Sequence, residues 1–231
     1  MTIGLMFFPL LVAAIVWWLM RQTLEEPWHA EVVVPQVHGG LVTKPTAKVA
    51  LWVFLGVASS LFVLFASAYV MRLDLTDWSP IPRPRLLLVN TVFLAGASLA
   101  MEWTVYSARR ADAGNVRHGL AASGLLTFAF LAGQLYVWKQ YHEAGFLLTS
   151  SAATAFFYLF TAVHGLHVLG GLVAWARASL RVGRGVDAAR MRLACELCAT
   201  YWHYLLAVWV LLYALLVSED LGLAICSATP L

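Results

Sequence analysis

Three imidazoles stand in apolar surroundings in this chain. His164 and His167 lie within the run from Phe156 to Trp175, and His203 lies within the run from Cys195 to Val217. A charged side chain at the centre of a bilayer costs about 2.5–3.5 kcal/mol on insertion scales, and a neutral imidazole somewhat less. Such groups should face protein and have partners. Glu196 sits seven residues before His203 and so shares its helical face. Tyr201 and Trp202 directly precede His203.

Three chemistries fit this set. One is an interhelical hydrogen-bond cluster that fixes helix register, each contact contributing about 0.6 kcal/mol on average. The second is bis-histidine haem ligation by His164 (or His167) and His203, at matched depth on facing helices. The third is a proton relay through Glu196, His203 and His167. The relay finds no clear continuation beyond Gln134 and Tyr136, and no thiolate–imidazole pattern points to copper. The cross-link makes the fewest demands on the rest of the chain.

The elements that must position these residues follow from composition. Of 231 residues, 61% are hydrophobic and only 12% charged, where a soluble domain carries about 25% charged residues. The chain reads as all-α, a polytopic transmembrane bundle, and not as a soluble enzyme or a nucleic-acid binder. Its formal charge of +3 says little about partners, because Lys and Arg follow membrane topology. Three cysteines make no disulfide framework. Cys195 and Cys198 form a Cys-x-x-Cys without strand–helix redox context, and read as a buried helical pair.

Six apolar spans are expected, each near the ~20 residues that cross a bilayer. They cover residues 3–20, 47–71, 86–108, 118–138, 150–176 and 194–217. No charge precedes the first run, and Trp17-Trp18 closes it, so it reads as a retained helix and not a cleaved signal. The expected organisation is an N-terminal helix with a loop (1–46), a five-helix core (47–217) and a short tail (218–231) in which Glu219-Asp220 caps the last helix. Eleven Lys and Arg fall at Arg21 or in the loops 22–48, 109–117 and 177–193, against four on the other side. The positive-inside rule then places both termini outside. At ~1.5 Å per residue, His167 and His203 lie about 13 Å from the inner ends of their spans and His164 about 18 Å. Glu102 is also towards the inside. Trp103, Trp138 and Trp175 read as interfacial belts. Small residues at 95–100 and 150–155 would let helices approach closely.

Several of these residues also carry a resemblance. Phe156-Phe157, Thr161, His164-Gly165, His167-Val168 and Gly170-Gly171, with Tyr201-Trp202-His203-Tyr204 and Val208-Trp209, resemble the two signature helices of subunit III of haem–copper oxidases. Asn90-Thr91 with Ala97-Ser98, after a Trp78-x-Pro80-x-Pro82 linker, and Gly133-Gln134 resemble two further segments of that family. The resemblance covers about residues 47–217. It implies a non-catalytic multi-pass subunit of a terminal respiratory oxidase in a bacterial inner membrane. No cofactor would be held by this chain. Haem and copper would reside in the catalytic partner subunit, phospholipid would be bound, and the other partners would be further oxidase subunits and membrane lipids. His164, His167, His203, Glu196, Tyr201 and Trp202 would form a structural polar core.

The sequence departs from the family pattern at three acidic positions. Ala58, Val137 and Leu206 stand where carboxylates are common. The N-terminal helix is an addition to the five-helix form. These departures keep open a quinol oxidase or nitric oxide reductase-like assembly, and the residues alone keep open a stand-alone bis-histidine cytochrome b.

Overall fold

A computed structural model describes residues 46–73, 78–79, 85–185 and 187–227, the side chains of Thr46 and of 217–227 excepted. The expected first span and most of the loop after it lie outside these residues. The described helices belong to one compact unit, Lys44–Leu231. They are α1 (Thr46–Arg72), α2 (Leu86–Arg109), α3 (Ala113–Glu143), α4 (Ala152–Gly183) and α5 (Ala188–Ser227). All five are long and apolar enough to cross a membrane, and no strand occurs among the described residues.

The helices outrun their apolar stretches because local capping, not hydropathy, ends them. The expected spans 118–138 and 150–176 become helices of 31 and 32 residues. Asp112 caps α3, its carboxylate accepting from the Asn115 backbone N–H at 3.0 Å. At the far end of α3, Gly145 adopts φ +84°. Phe146 N–H donates to the Tyr141 carbonyl at 2.9 Å and Gly145 N–H to the His142 carbonyl at 3.2 Å. The Phe146 and Tyr141 rings meet with centroids 5.8 Å apart. Those two bonds and that contact make a complete Schellman stop. Ser151 caps α4 by accepting from Thr154 N–H at 3.2 Å. Helix α5 runs on to Ser227, through the Glu219-Asp220 pair expected to cap it and into the stretch expected as a tail. The backbone there continues through Leu221, Leu223, Ala224 and Ile225, which favour or tolerate helix.

Helices α2, α3, α4 and α5 close a ring in which each packs on the next and α5 returns to α2. Helix α1 rests outside the ring, against α4 and α5. Phe62 and Tyr69 of α1 join Phe160 of α4 and Val208 and Leu212 of α5 in a separate apolar cluster. Tyr69 also meets Trp78, from the linker after α1, edge-on at 5.2 Å.

Indole and phenol groups tie the ring together. Trp138 Nε1–H donates to Thr161 Oγ1 at 3.0 Å and Trp175 Nε1–H to the Leu120 carbonyl at 2.9 Å. Trp209 Nε1–H donates to Thr91 Oγ1 at 2.9 Å. Trp138 and Trp175, read from the sequence as interfacial, spend their N–H groups on neighbouring helices. Glycine makes room for these rings. A Cβ at Gly124 would stand 2.3 Å from Trp175 Cζ2, and one at Gly171 would stand 2.7 Å from Tyr201 Cε1.

Candidate functional site

The six residues singled out in the sequence do not form one polar cluster. Helix geometry sends the three imidazoles to three different neighbours.

His164 is fully buried. Its ring lies 5.8 Å from the Phe130 ring, edge to face, and 5.2 Å from the Trp209 indole. Neither ring nitrogen has a hydrogen-bond partner among the described residues. His167, one turn on, points towards α1. Its ring packs 5.2 Å from Phe62 and 6.3 Å from Phe54. Its Nδ1–H donates to the Val163 carbonyl at 2.8 Å, which fixes that nitrogen as the protonated one. Tyr201, nearly buried, donates its hydroxyl to the His167 backbone carbonyl at 2.9 Å. Trp202 is fully buried and donates across the bundle to Thr127 Oγ1 at 3.0 Å.

His203 turns away from all of these. Its Nε2 lies 3.1 Å from Glu102 Oε2 on α2, and its Nδ1 contacts the Ser98 hydroxyl. The three rings thus face three different sets of neighbours, and no bis-histidine pair is seen facing across the bundle among the described residues. Among the described residues no group of three or more His, Cys, Asp or Glu could hold a metal ion. Cys195 and Cys198 are buried free thiols.

Glu196 is the centre of a different constellation. Its carboxylate meets Lys48 of α1 at 2.8 Å, Arg192 at 3.0 Å and Arg109 of α2 at 3.9 Å. Instead of a relay from Glu196 to His203 to His167, one of the three chemistries the sequence left open, the structure shows two separate pairings. Glu196 is held by cations, and His203 is held by Glu102. Helical periodicity gave Glu196 and His203 a common face, but seven residues span about 10 Å along the axis. The true partner came from α2, which spacing along one helix cannot reveal. A usable signal was present: Glu102 and Arg109 are also seven residues apart.

Both pairings line one cavity of about 290 Å³, with Leu51, Trp52 and Thr200 among its other walls. At the positions where the family resemblance led to an expectation of carboxylates, Ala58 and Val137 are buried and apolar, and Leu206 packs against the core. Asn90 and Gln134, buried in α2 and α3, face each other with Nδ2 to Oε1 at 3.4 Å. A Cβ at Gly133 would strike Asn90 Oδ1 at 2.1 Å, so glycine there is what lets α2 and α3 close.

Comparison with known proteins extends this picture to most of the chain. The family model for cytochrome c oxidase subunit III matches residues 2–218. A probable cytochrome c oxidase subunit 3 from Nocardia farcinica is 30% identical over 65% of this chain and 76% of its own length. The subunit 3 of Bacillus subtilis is 31% identical over 70% of this chain and 81% of its own. That of Coturnix japonica is 26% identical over 92% of this chain and 81% of its own. A match of that extent, on a bundle whose signature histidines sit in its ring, carries the conclusion that the chain belongs to the cytochrome c oxidase subunit III family.

Proposed function

We propose that this chain is the non-catalytic subunit III of a terminal haem–copper oxidase, supporting assembly, lipid binding and stability of the catalytic subunit while oxygen is reduced and protons are moved. Family membership makes it a multi-pass membrane component of an oxidoreductase complex. The observation that carries the supporting role is the use made of its polar side chains. The indole N–H groups of Trp138, Trp175, Trp202 and Trp209 and the Tyr201 hydroxyl each bond another helix of the same ring. The imidazoles face different neighbours, so these side chains do not fit a haem or copper ion, and no redox step is assigned to them. Haem and copper belong in the partner subunit.

The membrane placement is six spans with both termini outside, in a bacterial inner membrane. Residues 1–46 dock on a neighbouring subunit, and 47–217 form the core. Support comes from the convergence of Lys48, Arg109 and Arg192 on Glu196, which gathers three basic segments at one end of the bundle. The outward side chains Trp52, Val53, Val57 and Leu64 of α1 suit phospholipid chains.

The test is a mild-detergent pull-down from native membranes through a tag on this chain, followed by a reduced-minus-oxidised spectrum. Haem should copurify with a larger partner and stay with that partner when this chain is stripped away. Haem retained by the isolated 25.4 kDa chain would overturn the proposal.

A further inference from the structure

The cavity between α1, α2 and α5 is charged on two levels. On α2, Arg109 lies seven residues beyond Glu102; on α5, His203 lies seven beyond Glu196. The two helices run antiparallel there, so the steps match. Arg109 and Lys48 gather at Glu196, and about 10 Å deeper Glu102 meets His203 at 3.1 Å. All five side chains line the same cavity. In the isolated chain the deeper pair opens into this cavity, with His203 46% and Glu102 61% exposed.

Ser98 gives this imidazole a property the other two lack. In the neutral ring, Nε2–H donates to Glu102 and Nδ1 accepts the Ser98 hydroxyl proton. In the protonated ring, Nδ1–H donates to Ser98 Oγ. A hydroxyl both donates and accepts, so either state is satisfied without moving a heavy atom. His167 differs in that its Nδ1–H is already committed to the Val163 carbonyl. His164 is enclosed by Phe130 and Trp209.

We propose that Glu102 and His203 form a proton-binding site within the membrane-spanning part of the bundle. It is loaded through this cavity from the aqueous phase on the side of Lys48, Arg109 and Arg192. Hydronium or a buffer acid in the cavity gives its proton to Nε2, the ring nitrogen that faces Glu102, when the ring is in the tautomer whose Nδ1–H donates to Ser98 Oγ, and the Glu102 carboxylate balances the resulting imidazolium. The charged and titratable groups facing the site are Lys48 from α1, Glu102 and Arg109 from α2, and Glu196 from α5. Both cations are engaged by Glu196, which moderates their repulsion of an incoming proton. The inference goes beyond the supporting role above and rests on that reading for the complex and the membrane side in which it is tested.

The experiment uses the intact complex, 13C-labelled at histidine and reconstituted with uniform orientation in vesicles. Infrared difference spectra are taken as external pH steps from about 8 to about 6, the range where imidazole titrates. Subtracting the His203→Gln spectrum isolates this ring. An imidazolium band should rise only when the Lys48–Arg109 side faces the stepped buffer. Glu102→Gln should lower the imidazolium fraction at fixed pH about two- to fivefold, the range for an exposed ion pair, and Glu102→Asp should retain it. No His203 band, a band that follows the opposite side, or a fraction indifferent to Glu102→Gln would each overturn the proposal. Failure of the subunit reading would look different: the wild-type chain would not copurify with haem at all.

Discussion

Alanine at Gly171 and alanine at Gly170 should act in opposite directions, although the residues are neighbours on α4. In a helix interior Gly→Ala gains about 1 kcal/mol of propensity at either site. A Cβ at Gly170 meets nothing within 4 Å, so that gain stands alone. A Cβ at Gly171 would lie 2.7 Å from Tyr201 Cε1 and 3.0 Å from Cδ1, roughly 0.7 Å short of ordinary contact. The Tyr201 ring cannot swing clear cheaply. Its hydroxyl is bonded to the His167 carbonyl at 2.9 Å, and its face lies against Tyr204 at 6.4 Å. Overpacking of this kind costs about 1–3 kcal/mol. Because the propensity gain is common to both variants, their difference isolates that strain. Gly171→Ala should therefore be about 1–3 kcal/mol less stable than Gly170→Ala. The assay is reversible SDS unfolding of the purified chain or, failing reversibility, thermal dissociation of the complex. Adding Tyr201→Leu to Gly171→Ala should recover part of the deficit. Equal stability of the two single variants would refute the close α4–α5 approach on which the bundle depends.

Three further perturbations test other parts of the structure. Gly145→Ala forces φ +84° on a residue with a Cβ; it should cost about 1–2 kcal/mol and raise proteolysis at 144–151. Glu196→Gln leaves Lys48, Arg109 and Arg192 facing one another; it should cost about 1–2 kcal/mol, between exposed and buried pairs, and raise Lys48 reactivity towards an impermeant acylating reagent severalfold. The Asn115 backbone N–H, followed by its side chain, holds the Asp112 carboxyl below its usual value of 3.8. A depressed carboxylate stabilises the fold above its unfolded value and loses that contribution as pH falls through the folded one. Asp112→Asn keeps the cap and should flatten the stability–pH curve below about pH 4. An unchanged acid limb would show that Asp112 contributes nothing to it.

Much of the bundle was legible from residue types alone. The apolar runs located all five described helices because a bilayer demands an unbroken apolar stretch of fixed length. They misplaced the ends of α3 and α4 because hydropathy reports bilayer thickness, whereas Asp112, Gly145 and Ser151 report where backbone hydrogen bonding stops. The costly imidazoles stood out as residues in need of explanation. Their partners did not, since Glu102 reaches His203 only through the register of α2 against α5. Tryptophan was legible only in part for a related reason. An indole has an apolar body and one donor, and composition does not say whether that donor meets a headgroup or, as at Trp175, a carbonyl of the next helix.

The position of α1 outside the ring has a consequence for biogenesis. Its packing partners are α4 and α5, not the α2 that follows it. Lys48 finds its carboxylate 148 residues later in the chain. At synthesis rates of 5–20 residues per second, the ~115 residues between the end of α1 and the start of α5 take roughly 6–23 s to emerge. Throughout that interval α1 must wait in lipid without Glu196 beside Lys48, although Trp78 and then Phe156 and Phe160 of α4 become available to Tyr69 before α5 is made. The first of these five helices to be made cannot complete its packing until the last has emerged, and that delay is the window in which an insertase or a partner subunit can act on it.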